Sequence, residues 1–200
     1  MKTLAIIPAR GGSKRIPRKN IKEFCGFPII KYSIDAALRS GCFDEVMVST
    51  DDDEIASIAK KYGAKVPFLR SKEASCDDAS TKAVIKEVLL SYKKMGLDFD
   101  HVCCIYPAAP FVTDTLLNQV RMIWPENENK RSQELEASYH DVGQFYWIRI
   151  TSFLKKNSIF TDNTMPFELP EIKAQDIDTE QDWKIAETKY RILILNKDNA

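Results

Sequence analysis

Residues 4–21, LAIIPARGGSKRIPRKNI, constrain the fold more than any other stretch. Leu4, Ala5, Ile6 and Ile7 form an unbroken apolar run, the pattern of a strand buried on both faces. Pro8 ends it. The loop that follows holds Gly11, Gly12, Ser13 and five cations: Arg10, Lys14, Arg15, Arg18 and Lys19. Open α/β sheets bind ligands beyond the carboxyl ends of their strands. Glycines let backbone N–H groups close on an anion, and clustered Lys and Arg neutralise its charge. The stretch therefore predicts a polyphosphate cradle. It is neither common type, since GxxxxGK(S/T) and GxGxxG are both absent. A basic turn that merely solvates a face is the plainer account of the same charges.

The next hundred residues repeat the strand–helix theme. Ile29 to Leu38 carries apolar residues at helical spacing, with Gly41 as a stop. Glu45 to Thr50 is a second β-rich run, and Asp51-Asp52-Asp53 opens a helix that reaches Tyr62 before Gly63. Lys65 to Leu69 reads as a third strand, placed at an edge by Pro67. Ser80 or Thr81 caps a helix over residues 82–94 that closes at Gly96. His101 to Tyr106 is another buried strand, and Thr113-Asp114 starts a short helix through Leu116 and Leu117. This order predicts a single α/β domain, residues 1–200, with a doubly wound, mostly parallel sheet.

Periodicity falters after Gln119. A polar stretch leads into VGQFYWIRI, in which Gln144 to Ile150 reads as a strand. Trp124, Tyr139, Phe145 and Trp147 need burial, either on another copy of the chain or in the local core. Near the C-terminus, Thr179 with Asp182 three residues later forms a capping box ahead of a helix through Ile185, Ala186 and Tyr190.

The 29 basic residues balance 29 acidic ones, so no global field attracts nucleic acid or an anionic membrane. No apolar run approaches bilayer length, and Met1-Lys2-Thr3 enters a strand directly, which predicts a cytoplasmic protein. Five cysteines with no CxxC spacing predict free thiols and no structural zinc.

Two acidic groups compete for a metal. Asp176 and Asp178, two apart in an extended stretch, point the same way and can share one hard cation with substrate phosphates. Asp51, Asp52 and Asp53 also follow a strand, but acids at a helix start are favoured without any metal. The same inert role is open to Asp178. His140-Asp141 are adjacent on an extended segment and point apart, and His101 at a strand start reads as structural. No nucleophile spacing supports a hydrolase.

ARGGSKRIPRKNI at residues 9–21 resembles the signature of the CMP-sugar synthetases that activate nonulosonic acids, the sialic acid cytidylyltransferase family. VSTDDDEIASIAKKYGAKVPFLR (residues 48–70) and IDTEQDW (residues 177–183) match that family in the same order. YPAAPF, WPEN, RSQELE and YHDVGQFYW resemble its pseudaminic acid branch; sialic acid enzymes typically carry Gln where Tyr106 stands. The resemblance implies a Rossmann-like nucleotidyltransferase using Mg²⁺ to join CTP and a nonulosonic acid into a CMP-sugar and pyrophosphate, for surface or flagellar glycan synthesis. It implies that Arg10, Ser13, Lys14 and Lys19 hold the triphosphate, with Lys14 nearest the α-phosphate and Lys14, Arg10 and Asp178 the catalytic set. Asn20 and Arg70 would meet the cytidine, and Ser80 would start the helix lining the nucleotide pocket. Asp176 and Asp178 would ligate Mg²⁺. Tyr106, Gln144 and Tyr146 would face the sugar acid. Residues 121–160 would be a protruding dimerisation arm of a homodimer that closes the sugar pocket.

Against relatives, the chain after Gln119 is short by roughly thirty residues, about one helix–strand unit. A parallel strand needs a crossover of a dozen residues or more, so such a unit cannot simply shrink. Four readings follow for the ligand: pseudaminic acid, its sialic and legionaminic relatives, 3-deoxy-octulosonic acid, or a nucleotide held without turnover. A dehydrogenase is disfavoured by the missing GxGxxG.

Overall fold

The computed structural model describes residues 1–76, 79–119, 141–161 and 164–195. Its centre is a four-stranded sheet in the order β4 (Glu45–Ser49), β1 (Thr3–Pro8), β5 (His101–Ile105), β6 (Phe145–Arg149). β1 pairs in parallel with β4 and with β5, and β6 closes the row antiparallel to β5. The sheet is thus mostly parallel, as the strand–helix alternation predicts.

The apolar runs split cleanly between two faces. Ala5, Ile7, Val46, Val48, Cys103 and Ile105 pack against Ile30 and Ile34 of α1 (Ile30–Ser40) and Ile55 and Ala59 of α2 (Asp53–Lys61). Leu4, Ile6, Met47, Val102 and Cys104 face Ile85, Val88 and Tyr92 of α4 (Thr81–Lys94) and Phe153 of α6 (Ile150–Lys156). Alternate residues point to opposite sides of a strand, so an unbroken apolar run serves two helical layers at once. A short α3 (Lys72–Ser75) precedes α4, and α5 (residues 114–119) begins where Thr113 Oγ1 accepts from the Leu116 N–H at 3.1 Å.

A third apolar cluster lies off the sheet. Ile16 from the basic loop, Phe24 from the small hairpin of β2 (Glu23–Phe24) and β3 (Phe27–Pro28), Phe111 and Ile177 enclose Trp183, Ala186 and Tyr190 of α7 (Glu180–Tyr190). This cluster brings the two ends of the chain together. The capping box on α7 forms: Thr179 Oγ1 accepts from the Asp182 N–H, and Asp182 accepts from the Thr179 N–H at 2.8 Å.

Two expectations need correction. Lys65 to Leu69 is not a strand; it makes one parallel bridge, Lys65 to Met47, beside β4. The edge placement holds, but Pro67 has no N–H to extend the ladder. The span 121–160 does not protrude where it is described. Its residues 121–140 lie outside the described residues, but β6 completes the central sheet and α6 buries Phe153 beneath it. Phe145 and Trp147 pack on the α1/α2 face, with Trp147 stacked on Phe43 at 5.3 Å, so these two aromatics fill the local core. Trp124 and Tyr139 also fall outside the described residues. All five cysteines are free, and among the described residues no helix is long and apolar enough to cross a membrane.

Candidate functional site

The sheet order reverses at β1: the chain leaves it through α1 to β4 on one side and returns through α4 to β5 on the other. In open α/β sheets the ligand crevice lies at such a reversal, beyond the carboxyl ends of the strands. A cleft lies there. It is lined by Pro8, Arg10, Ser13, Lys14, Arg15, Ile16, Lys19 and Asn20 from β1 and its loop, and by Tyr106, Pro107 and Ala108 after β5. Gly143, Asp176 and Ile177 complete the rim.

Of the residues singled out by sequence, Arg10, Ser13, Lys14, Lys19, Asn20, Tyr106 and Asp176 line this cleft together. Asn20 is buried and donates to the Arg10 carbonyl at 2.9 Å, which fixes the start of the loop. Lys14 is exposed. The Lys19 ammonium donates to the Ile177 carbonyl at 2.7 Å and lies 3.7 Å from Asp178. Burial pulls its pKa below the ordinary lysine value, while Asp178 pulls the other way. Arg15 donates to Asp178 at 2.5 Å. The two ends of the chain therefore meet through one carboxylate. Ile177 between the aspartates is buried in the third cluster, so Asp176 and Asp178 turn to the other side of the strand-like segment, toward the loop.

Besides Asp178, four candidates stand apart from the cleft lining. Arg70 is buried and donates to both Ser49 Oγ and the Ser49 carbonyl, holding the end of β4; burial lowers its pKa. Ser80 caps α4, its Oγ accepting from the Ala83 N–H at 3.3 Å. Gln144 is buried; its amide donates to the Lys173 carbonyl at 3.0 Å, and its Oε1 has no partner among the described residues. The Tyr146 hydroxyl donates to Asp141 at 2.5 Å, and its ring meets that of Tyr106 edge-on at 6.0 Å. Tyr106 shares a 2.9 Å hydrogen bond with Thr81, and burial raises its hydroxyl pKa. Tyr106, Gln144 and Tyr146 adjoin one another, since the Tyr106 N–H donates to the Gln144 carbonyl at 2.9 Å.

Arg18 is missing from the cleft. It sits in the left-handed region, at φ 57°, and grips Asp52 through both guanidinium nitrogens and Glu54 at 2.5 Å. The Arg18 guanidinium holds the Asp52 carboxyl below the usual carboxylate range. Asp52 also caps α2, and Asp51 accepts from the Gly11 N–H at 2.9 Å. The first acidic triplet is therefore committed to the helix start and the loop. Sequence reading missed Pro107, Ala108 and Gly143 as lining residues. The first two directly follow a buried parallel strand, which is itself the signal for a crevice wall.

The cleft thus offers a concave basic loop, the Asp176 carboxylate on its rim with Asp178 close by against Arg15 and Lys19, and Tyr106 beyond β5, a set suited to binding a polyanion beside a hydroxylated partner. Residues 4–157 match the family described as Cytidylyltransferase. The chain is 41% identical to the pseudaminic acid cytidylyltransferase of Campylobacter jejuni subsp. jejuni serotype O:2, covering 96% of this chain and 97% of that protein. It is 32% identical to the CMP-N,N'-diacetyllegionaminic acid synthase of Legionella pneumophila, covering 99% of each. Among solved structures, a cytidylyltransferase from Leptospira borgpetersenii superposes with a TM-score of 0.70 at 19% identity, over 97% of this chain and 88% of that one. The Campylobacter alignment spans 226 positions, yet 96% of 200 residues is about 192, so about 34 positions have no residue of this chain. A basic loop at the sheet's reversal point, a family match over most of the length and an end-to-end relative agree: the chain belongs to the cytidylyltransferase family.

Proposed function

We propose that the chain transfers a cytidylyl group from CTP to a nonulosonic acid, and that this acid is pseudaminic acid. The anomeric hydroxyl oxygen bonds to the α-phosphorus and gives up its proton, the bond from that phosphorus to the bridging oxygen of the β-phosphate breaks, and pyrophosphate leaves with that oxygen. The observation that carries this reading is the convergence of Arg10, Lys14, Arg15 and Lys19 on one cleft at the sheet's reversal point. The sugar follows from the 41% identity to a protein of that name over nearly the whole of both chains.

Phosphoryl transfer asks little covalent chemistry of a protein, so positioning and charge dominate. Lys14, exposed in the loop, is placed to follow charge as it develops at the α-phosphate. Arg15 and Lys19 hold Asp178 and turn to the triphosphate when it enters, exchanging one carboxylate for several phosphate oxygens. The Arg15 side chain is 68% exposed, and such a pair is worth only about 0–1 kcal/mol, weak enough to give way. Asp176 and Asp178 are then available to Mg²⁺, which neutralises phosphate oxygens when bound. The donor set fits that ion. The two carboxylates share one side of the chain, and among the described residues no cluster of three or more His, Cys, Asp or Glu would hold a metal alone. Substrate oxygens must complete the shell, as is usual for magnesium at phosphate sites. Tyr106 on the cleft lining, with Gln144 and Tyr146 packed beside it, would form the side that meets the sugar acid, where Gln144 Oε1, without a partner among the described residues, would accept a donor from the ligand. The same reading makes the protein a cytoplasmic homodimer.

The test is pyrophosphate release from CTP with magnesium and a panel of pseudaminic, legionaminic, sialic and 3-deoxy-octulosonic acids. Release with pseudaminic acid at the highest kcat/KM is expected. CTP binding without release from any acid would leave a nucleotide-binding protein, and release with another acid would reassign the sugar.

A further inference from the structure

We propose that the Asp52–Arg18 pair is a clasp that closes the phosphate loop at both ends, making Asp52 a positioning residue of the nucleotide site. This rests on the reading of that loop as the triphosphate cradle.

The loop leaves β1 at Ala9 and passes Gly11 close against α2. A Cβ on Gly11 would lie 2.6 Å from Asp52 Oδ2, so glycine is required for the approach. Its N–H is taken by Asp51. Seven residues later the chain returns to the same carboxylate: Arg18 meets Asp52 with both guanidinium nitrogens, in the fork geometry that makes such pairs directional. The Arg18 carbonyl accepts from the N–H groups of Ile21 and Lys22, which locks the turn behind it. One side chain thus touches the loop's entry and its exit. Ser13, Lys14 and Arg15, which line the cleft, lie on the span between.

Asp52 is itself fixed. It is the cap of α2, accepting from the Ile55 N–H at 3.0 Å, and its own backbone N–H donates to Thr50 Oγ1 at 3.2 Å. A loop anchored to a helix start at both ends is ordered before its ligand arrives, so the ordering entropy is not charged to binding. The sequence counts Arg18 with the phosphate cations, but the geometry assigns it to holding the others.

The two accounts of Arg18 make opposite predictions for Asp52→Asn. Asparagine caps a helix as well as aspartate does, so α2 is kept while the charge on Arg18 is lost. If Arg18 bound phosphate directly, freeing it would leave CTP affinity unchanged or improve it. If it is a clasp, CTP binding by calorimetry with magnesium weakens about tenfold. Arg18→Asn, which tolerates the left-handed backbone, weakens it equally, and the double variant is no worse than either. A second readout needs no nucleotide: trypsin cleavage of the full chain after Lys14 and Arg15 accelerates at least fivefold in both single variants, with unchanged circular dichroism. Wild-type rates of cleavage, tighter CTP binding in Asp52→Asn, or additive losses in the double variant would each overturn the clasp. Should the wild-type chain bind no CTP, the function proposed above fails, and proteolysis alone decides the clasp.

Discussion

Asp51-Asp52 and Asp176-Asp178 look alike on paper: carboxylates after an extended segment, just before a helix, within reach of the same basic loop. They differ in who caps the helix. Asp52 does the capping for α2 itself and is gripped by Arg18. Ahead of α7 that work falls to Thr179 and Asp182, which form a closed capping box. Asp178 is left with an exposed arginine and a lysine as partners. A carboxylate relieved of structural duty can change partners, whereas one that holds a helix and a loop cannot.

The comparison can be broken most severely at what positions the second pair. Trp183 is buried against Phe24, edge-on at 5.6 Å, and anchors α7. Trp183→Ala should cost about 3–5 kcal/mol in chemical denaturation, the usual range for emptying a large aromatic site. Activity should fall with it, even in the fraction that stays folded. Next in size, Asp178→Ala should lower turnover at least about 100-fold with little change in melting temperature, the scale of one lost electrostatic stabiliser. Near-normal turnover would remove Asp178 from the site and erase the contrast between the pairs. Asp52→Ala against Asp52→Asn isolates the capping role: alanine should be less stable than asparagine by about 1 kcal/mol. Equal stabilities would mean that the cap at α2 contributes nothing.

The smallest effect concerns acid. Arg18 lowers the Asp52 pKa in the folded chain below its ordinary 3.8. The unfolded state then binds more protons, so the stabilisation is complete above about pH 4 and is lost as pH falls through the lower folded value. Stability measured from pH 5 downward should fall less steeply in Asp52→Asn than in the wild type.

Much of the site was legible from residues alone. Apolar runs ending in Pro8 and before Pro107 mark strand ends, and their loops supply most of the cleft. The capping box on α7 is visible as Thr179 and Asp182. The contacts that Arg18 and Arg70 make within the chain were not legible. A guanidinium in a basic loop looks the same whether it faces a ligand, a neighbouring carboxylate or, as with Arg70, the end of a strand. Nor could Lys65 to Leu69 be told from a strand, because its β-like composition is undone by one missing N–H.

The sequence by itself determined the alternation of buried strands and helices, and the placing of a cation-rich loop after the first strand. Both depend on local periodicity and on residues adjacent in the chain. Only the tertiary structure decided which charges meet. The third apolar cluster carries Asp178 across some 160 positions of sequence to Arg15, and the turn after β4 brings Asp52 under Arg18. Coulomb interactions act over a few ångströms of space, and chain order says nothing of that distance until the cores have packed.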